Sequence, residues 1–230
     1  AELWGAESVF LIGAALGVLG ILFLLPVGEP DALQARAFSN DTFVRVATHP
    51  VLLLASFMSL LVHFAHTATI SSFTLVYAAR IGATAGDLGL ISAAYRGAAT
   101  LATLASVYLM EKRGYRVTIL LGAGLMGAMY LVTPTVTGLS VLEAVQVITG
   151  VGHGLINTAL MALSISAVTP AHRTTAMGVY QALYAIGMLT GPLLSGVVAD
   201  GLGVGSVFYL SGATALLAGG LALLRAVPSR

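Results

Sequence analysis

Cysteine is absent from the chain, which excludes a disulfide framework and any thiolate-ligated metal. Charge is scarce as well. Asp, Glu, Lys and Arg make up 8% of the residues, against roughly 25% in a soluble globular domain, and that is too little to cover a water-facing surface. The formal net charge is +1 and no basic run exceeds Lys112-Arg113, so no nucleic-acid partner is expected. No Gly-x-Ser-x-Gly elbow occurs, which removes the common hydrolase signature and leaves no reason to expect an enzyme or a cofactor. The single lysine, Lys112, lies outside the apolar runs, so a retinal Schiff base is excluded. No basic segment precedes the first apolar run, and that run does not read as a signal peptide. The opening Ala1-Glu2, without Met, is expected to lie inside a longer chain.

What is present is apolar residue in long runs: 58% of the chain, with a mean hydropathy of +0.97. A membrane helix needs roughly 20 such residues. Breaks at polar, Gly and Pro positions predict seven spans: 8–27, 50–79, 86–110, 117–134, 139–168, 174–199 and 204–226. The segment 28–49 is the one long polar stretch and reads as a linker or surface helix. The expected fold is an all-α integral membrane bundle, its partners the lipid bilayer and a small-molecule solute. Basic residues favour the cytoplasmic side. Arg36, Arg45, Lys112, Arg113, Arg116, Arg173, Arg225 and Arg230 all fall on one side of this topology, and Arg80 alone on the other. The N-terminus is then outside and the C-terminus cytoplasmic.

A shift of 89 residues aligns the chain with itself without a gap. Gly89 meets Gly178, Tyr95 meets Tyr184, Ser106 meets Ser195, Glu111 meets Asp200 and Gly114 meets Gly203. The second to fourth spans map onto the fifth to seventh, and corresponding spans run in opposite directions. This predicts a 3+3 inverted repeat, an architecture of secondary transporters with the solute site at the repeat interface.

Polar residues inside membrane helices face a bundle interior or an aqueous cavity. The fourth and seventh spans have few, whereas the second, third, fifth and sixth carry many. Glu143, Gln146, Gly150, His153 and Asn157 alternate spacings of three and four and form one helical stripe. His63 and His66 share a face of the second span. Tyr95 and Arg96 lie in the third, and Tyr180, Gln181 and Tyr184 in the sixth. Arg96 falls about 15 Å into its span at about 1.5 Å per residue. A central Arg costs about 2.5–3.5 kcal/mol on the insertion scale, so it is expected to line a cavity and hold an anionic or acceptor-rich group, or else to pair with Glu143. His63, His66 and His153 titrate near neutral pH when unperturbed and are candidates for proton coupling, with Glu143. No carboxylate is clearly at their depth, so no metal site is expected. The solute-binding set is therefore His63, His66, Tyr95, Arg96, His153, Asn157, Tyr180, Gln181 and Tyr184.

The stretch 108–124, YLMEKRGYRVTILLGAG, resembles the cytoplasmic loop signature G-x-L-x-D-R-x-G-R-R of the major facilitator superfamily. Val107, Leu109, Glu111, Lys112, Arg113, Gly114 and Arg116 fall within it, with Val107 for the leading Gly and Tyr115 for an Arg. Gly178, Gly187, Gly191, Pro192 and Gly196 match that family's G-x8-G-x3-G-P-x2-G-G helix motif, with Ser195 for one Gly. Family members usually have twelve helices in two halves. The resemblance implies that 1–27 is the last helix of an N-terminal half, 28–49 the cytoplasmic linker, and 50–230 the C-terminal six-helix half. It further implies a missing N-terminal half, in the same full-length chain or a second subunit, a plasma (inner) membrane location, and proton-linked efflux or uptake of a small molecule by alternating access; the aromatic and amide-rich residue set suits a drug-like or sugar-like solute. Glu111, Lys112, Arg113, Gly114, Arg116, Gly187, Gly191 and Pro192 would serve conformational change, Pro192 as a flex point. A seven-helix receptor is the alternative that helix count alone leaves open.

Overall fold

The computed structural model describes residues 7–26, 40–224 and 227, and all regular structure in them is helical. It comprises two units, Ala1–Ser39 and Asn40–Arg230. In the first, α1 (Glu7–Leu24) is apolar from Phe10 onward and is followed by Pro26, which cannot continue a helix. The polar linker expected at 28–49 lies partly outside the described residues, and its end is helical, α2 (Asn40–Ala47).

The second unit continues with α3 (Pro50–Ala68), a π-helical turn (Thr69–Phe73), α4 (Thr74–Arg80), α5 (Ala85–Val132), α6 (Leu139–Ser166), α7 (Arg173–Leu202) and α8 (Val204–Leu221). Pro50 opens α3 at a position whose N–H would go unused. Thr84 and Asp87 form a capping box that starts α5. Among the described residues five helical stretches are long and apolar enough to cross a membrane: Pro50–Arg80, Ala85–Thr135, Leu139–Ser166, Pro170–Leu202 and Val204–Leu221.

The loop expected between the third and fourth spans is absent. Helix continues from both sides to a single break at Gly114, where φ is 80° and ψ is 172°. Only glycine adopts that left-handed backbone at no steric cost. The two arms of α5, 85–113 and 115–132, fold back on one another, because both meet the same short stretch of α6. Gly150 and Gly154 lie against the carbonyls of Tyr95 and Ala99 in the first arm, while Gly152 lies against the carbonyl of Gly122 in the second. Arg116, just past the break, donates from Nη2 to the carbonyls of Leu224 (3.2 Å) and Val227 (3.1 Å) and ties the turn to the end of α8.

Small residues set the remaining crossings, as in membrane bundles generally. Gly187 and Gly191 of α7 lie against the carbonyls of Leu60 and Phe64 in α3. Gly127 of the second α5 arm meets Leu216 of α8, and Gly212 of α8 meets Leu131. A Cβ added at Gly124, Gly178, Gly196 or Gly220 would meet nothing within 4 Å. Helix α7 runs unbroken through Pro192. Leu52, Met58, Met126, Tyr130, Ile156 and Leu160 are fully buried in the shared core, whereas Leu101, Leu104 and Val197 are 70%, 70% and 72% exposed. An apolar exterior around a packed interior is the arrangement a bilayer requires.

Candidate functional site

Four helices bring a cluster of imidazoles and phenols together. Helix α3 supplies Ser59, His63 and His66, spaced so that they share one face. The first α5 arm supplies Tyr95, α6 supplies His153, and α7 supplies Tyr180 and Tyr184. The rings of His66 and His153 stack nearly parallel, 4.3 Å between centroids. Tyr95 lies 5.7 Å from His66 and 5.9 Å from His153. On the opposite flank Tyr184 stacks on His63 at 4.4 Å, and His63 stands edge-on to His153 at 6.2 Å. The tyrosines that the 89-residue shift pairs thus close the imidazole cluster from two sides.

Hydrogen bonds fix the orientation of the rings. His63 Nδ1 is 2.9 Å from the backbone oxygen of Ser59. A carbonyl only accepts, so Nδ1 carries a proton, and in the neutral ring Nε2 is the acceptor. Ser59 Oγ lies 3.1 Å from the same Nδ1 and donates to Tyr180 Oη at 2.8 Å, which links α3 to α7. Tyr95 Oη is 2.9 Å from His66 Nδ1, which links α5 to α3. Thr67 Oγ1 donates to the carbonyls of His63 (2.8 Å) and Met188 (3.2 Å). His153 Nε2 is buried with no hydrogen-bond partner, as are both amide atoms of the fully buried Gln146. Buried polar atoms are almost always paired, so these groups keep unused hydrogen-bonding capacity inside the bundle.

Of the residues the sequence points to, His63, His66, Tyr95, His153, Tyr180 and Tyr184 meet in this cluster. Arg96 and Gln181 do not: both side chains are exposed. Adjacent residues on a helix point about 100° apart, so Tyr95 in the cluster turns Arg96 out of it. The Arg96–Glu143 pair does not form among the described residues. Asn157 and Glu143 are half-buried and away from the ring contacts. Thr100 and Thr103 return their hydroxyls to the carbonyls of Arg96 and Ala99. Ser59 escaped the sequence reading, although it stands one turn before His63. Among the described residues no group of three or more His, Asp or Glu is arranged to hold a metal ion.

A bundle with an apolar exterior, crossings set by glycine and several helices long enough to span a bilayer marks an integral, multi-pass membrane protein. The sequence matches the Major Facilitator Superfamily over residues 55–230, and the chain belongs to that family. It is 26% identical over 227 residues to multidrug resistance protein MdtG of Proteus mirabilis (strain HI4320), covering 93% of this chain and 55% of that protein. It is 29% identical over 153 residues to the uncharacterized MFS-type transporter MJ1560 of Methanocaldococcus jannaschii, covering 65% of this chain and 39% of that protein. The chain therefore spans about half the length or less of the curated relatives it matches.

Proposed function

We propose that residues 50–230 form the C-terminal six-helix half of a secondary transporter working by alternating access. Residues 1–27 would be the last helix of the other half and 28–49 the cytoplasmic linker. The break at Gly114 supports this reading, since it divides α5 into two arms and brings the membrane-length stretches of the second unit to six. The inverted repeat has support from backbone and packing. Gly114 and Gly203, partners under the 89-residue shift, have nearly the same unusual backbone, φ 80° and ψ 172° against φ 84° and ψ 161°. Helix α7 crosses α3 through Gly187 and Gly191, and the first α5 arm crosses α6 at the corresponding Ala98 and Ala102, there with the glycines on α6. Gly127 and Leu216, another shift pair, touch each other, as partners on a pseudo-twofold axis would.

The observation that carries the functional reading is the stacked His66–His153 pair flanked by His63, Tyr95, Tyr180 and Tyr184. Two imidazoles 4.3 Å apart cannot both be charged without strong repulsion. At most one ring of the stack is charged at a time, and such a pair suits coupling to a proton-linked solute. Aromatic faces with a few hydroxyls suit a drug-like or sugar-like molecule, and one relative is named a multidrug resistance protein. Arg96 and Gln181, exposed in this unit, would meet the solute or the other half, and Pro192 would serve as a flex point. Arg116 reaches the carbonyls of Leu224 and Val227, so the turn at Gly114 and the segment past α8 lie together; with the excess of basic residues on that side, this supports a cytoplasmic end for Arg45, Arg116 and Arg173, in the plasma (inner) membrane. A receptor draws no support from the family match. The test is reconstitution of the intact protein in vesicles with an imposed pH gradient and a fluorescent lipophilic dye. Gradient-driven dye movement that His66→Ala and His153→Ala each abolish is expected. Movement that ignores the gradient and both substitutions overturns the reading.

A further inference from the structure

On the side of α6 away from His153, a groove of about 580 Å³ runs between α6 and the first α5 arm. Its floor and walls are apolar: Ala98, Ala102, Ala105 and Tyr108 from α5, with Val147 and Val151 from α6. The alanines make it hollow. From Ala98 to Leu109 it follows the helix for about 16 Å at 1.5 Å per residue, about half of the ~30 Å hydrocarbon core and so the depth of one leaflet. The stripe Ala98, Ala105, Lys112 recurs every seven residues and stays on one face of the helix. Lys112 therefore stands at the groove's end, with its Nζ 4.5 Å above the ring of Tyr108. Among the described residues Lys112 meets no carboxylate. Glu111 and Arg113 each turn about 100° away from it, and Arg116 is engaged with the carbonyls at the end of α8.

We propose that this groove binds a phospholipid with an anionic headgroup, one acyl chain lying along Ala98–Tyr108 and the phosphate meeting Lys112 at the membrane surface. An apolar channel one leaflet deep that ends in a cation without a carboxylate partner matches the length and charge order of such a lipid. The alternative cover, a helix from elsewhere in the transporter, has no use for a cation there. The intact protein is purified in mild detergent, offered phosphatidylglycerol or phosphatidylcholine, and weighed by native mass spectrometry. The wild type is expected to retain one phosphatidylglycerol at least fivefold better than phosphatidylcholine. Lys112→Gln, on an exposed side chain that folding tolerates, is expected to erase that preference, and Lys112→Arg to keep it. Ala105→Trp, which fills the hollow, is expected to lower retention of both lipids at least fivefold. Equal retention of the two lipids by the wild type, an unchanged preference in Lys112→Gln, or undiminished binding in Ala105→Trp overturns the proposal. So does a wild type that retains no lipid, which would leave the groove to another polypeptide segment.

Discussion

Helix α6 meets the first α5 arm along one seam but differs on its two sides. One side carries Gln146, His153 and Asn157 and is closed by rings from α3. The other carries Val147 and Val151 and is left as an apolar hollow. The seam is made by Gly150 and Gly154, each against a backbone carbonyl of α5. The difference teaches how a membrane helix sorts two environments. Backbone contact at glycine fixes the rotation of α6, and that rotation decides which side chains enter the ring cluster and which line the apolar hollow. A small turn of α6 would mix the two.

The largest effect is expected where the seam itself is broken. Gly154→Val drives a side chain into the Ala99 carbonyl and Ala102. Overpacking costs about 1–3 kcal/mol, and backbone on the opposing side places this variant at about 3. Denaturant unfolding in detergent micelles measures it. Next comes the polar side. Tyr95→Phe removes the hydroxyl that meets His66 Nδ1 while keeping the ring, so proton-driven transport should fall about tenfold, equivalent to about 1.4 kcal/mol. Stability should hold, and equal loss of folding would show that the cluster is mere packing. Smaller again, Gly114→Ala and Gly203→Ala should each cost about 1 kcal/mol for a left-handed residue. Equal costs sharpen the repeat, whereas a difference above about 1 kcal/mol breaks it. The smallest effect belongs to Gly124→Ala, which meets open space and should leave stability within about 0.5 kcal/mol, on the same unfolding assay.

Spacing of three and four residues made the histidine and tyrosine faces legible before any coordinates, since a helix converts such spacing directly into a stripe. The rotation of one helix against the next was not legible. That is why Arg96, correctly read as costly in a membrane, was placed in the cluster although its neighbour Tyr95 occupies that direction. Ser59 was missed for a related reason: a serine gains meaning only when Tyr180, far along the chain, comes within 2.8 Å. Gly114 was legible as a turn, but not as a turn of one residue, because Glu111, Lys112 and Arg113 look like loop yet remain helical. Gly124 and Gly220 face open space: a glycine's smallness allows close approach without ensuring that a neighbour arrives.

The π-helical turn at Thr69–Phe73 has a consequence for phase. It takes up one more residue than an α-turn, and so advances everything after it by about 100°. Ser72 and Thr69 quiet the backbone there by donating to the carbonyls of Thr67 and Ala65. The extra residue lets one continuous segment keep His63 and His66 aimed at the ring cluster while Tyr77 reaches the carbonyls of Pro134 and Val136. Deleting Ser71 would restore an ordinary helix of the same composition. Its lower end would keep its alignment and its upper end would point elsewhere, so the segment behaves as two dials set by one surplus residue.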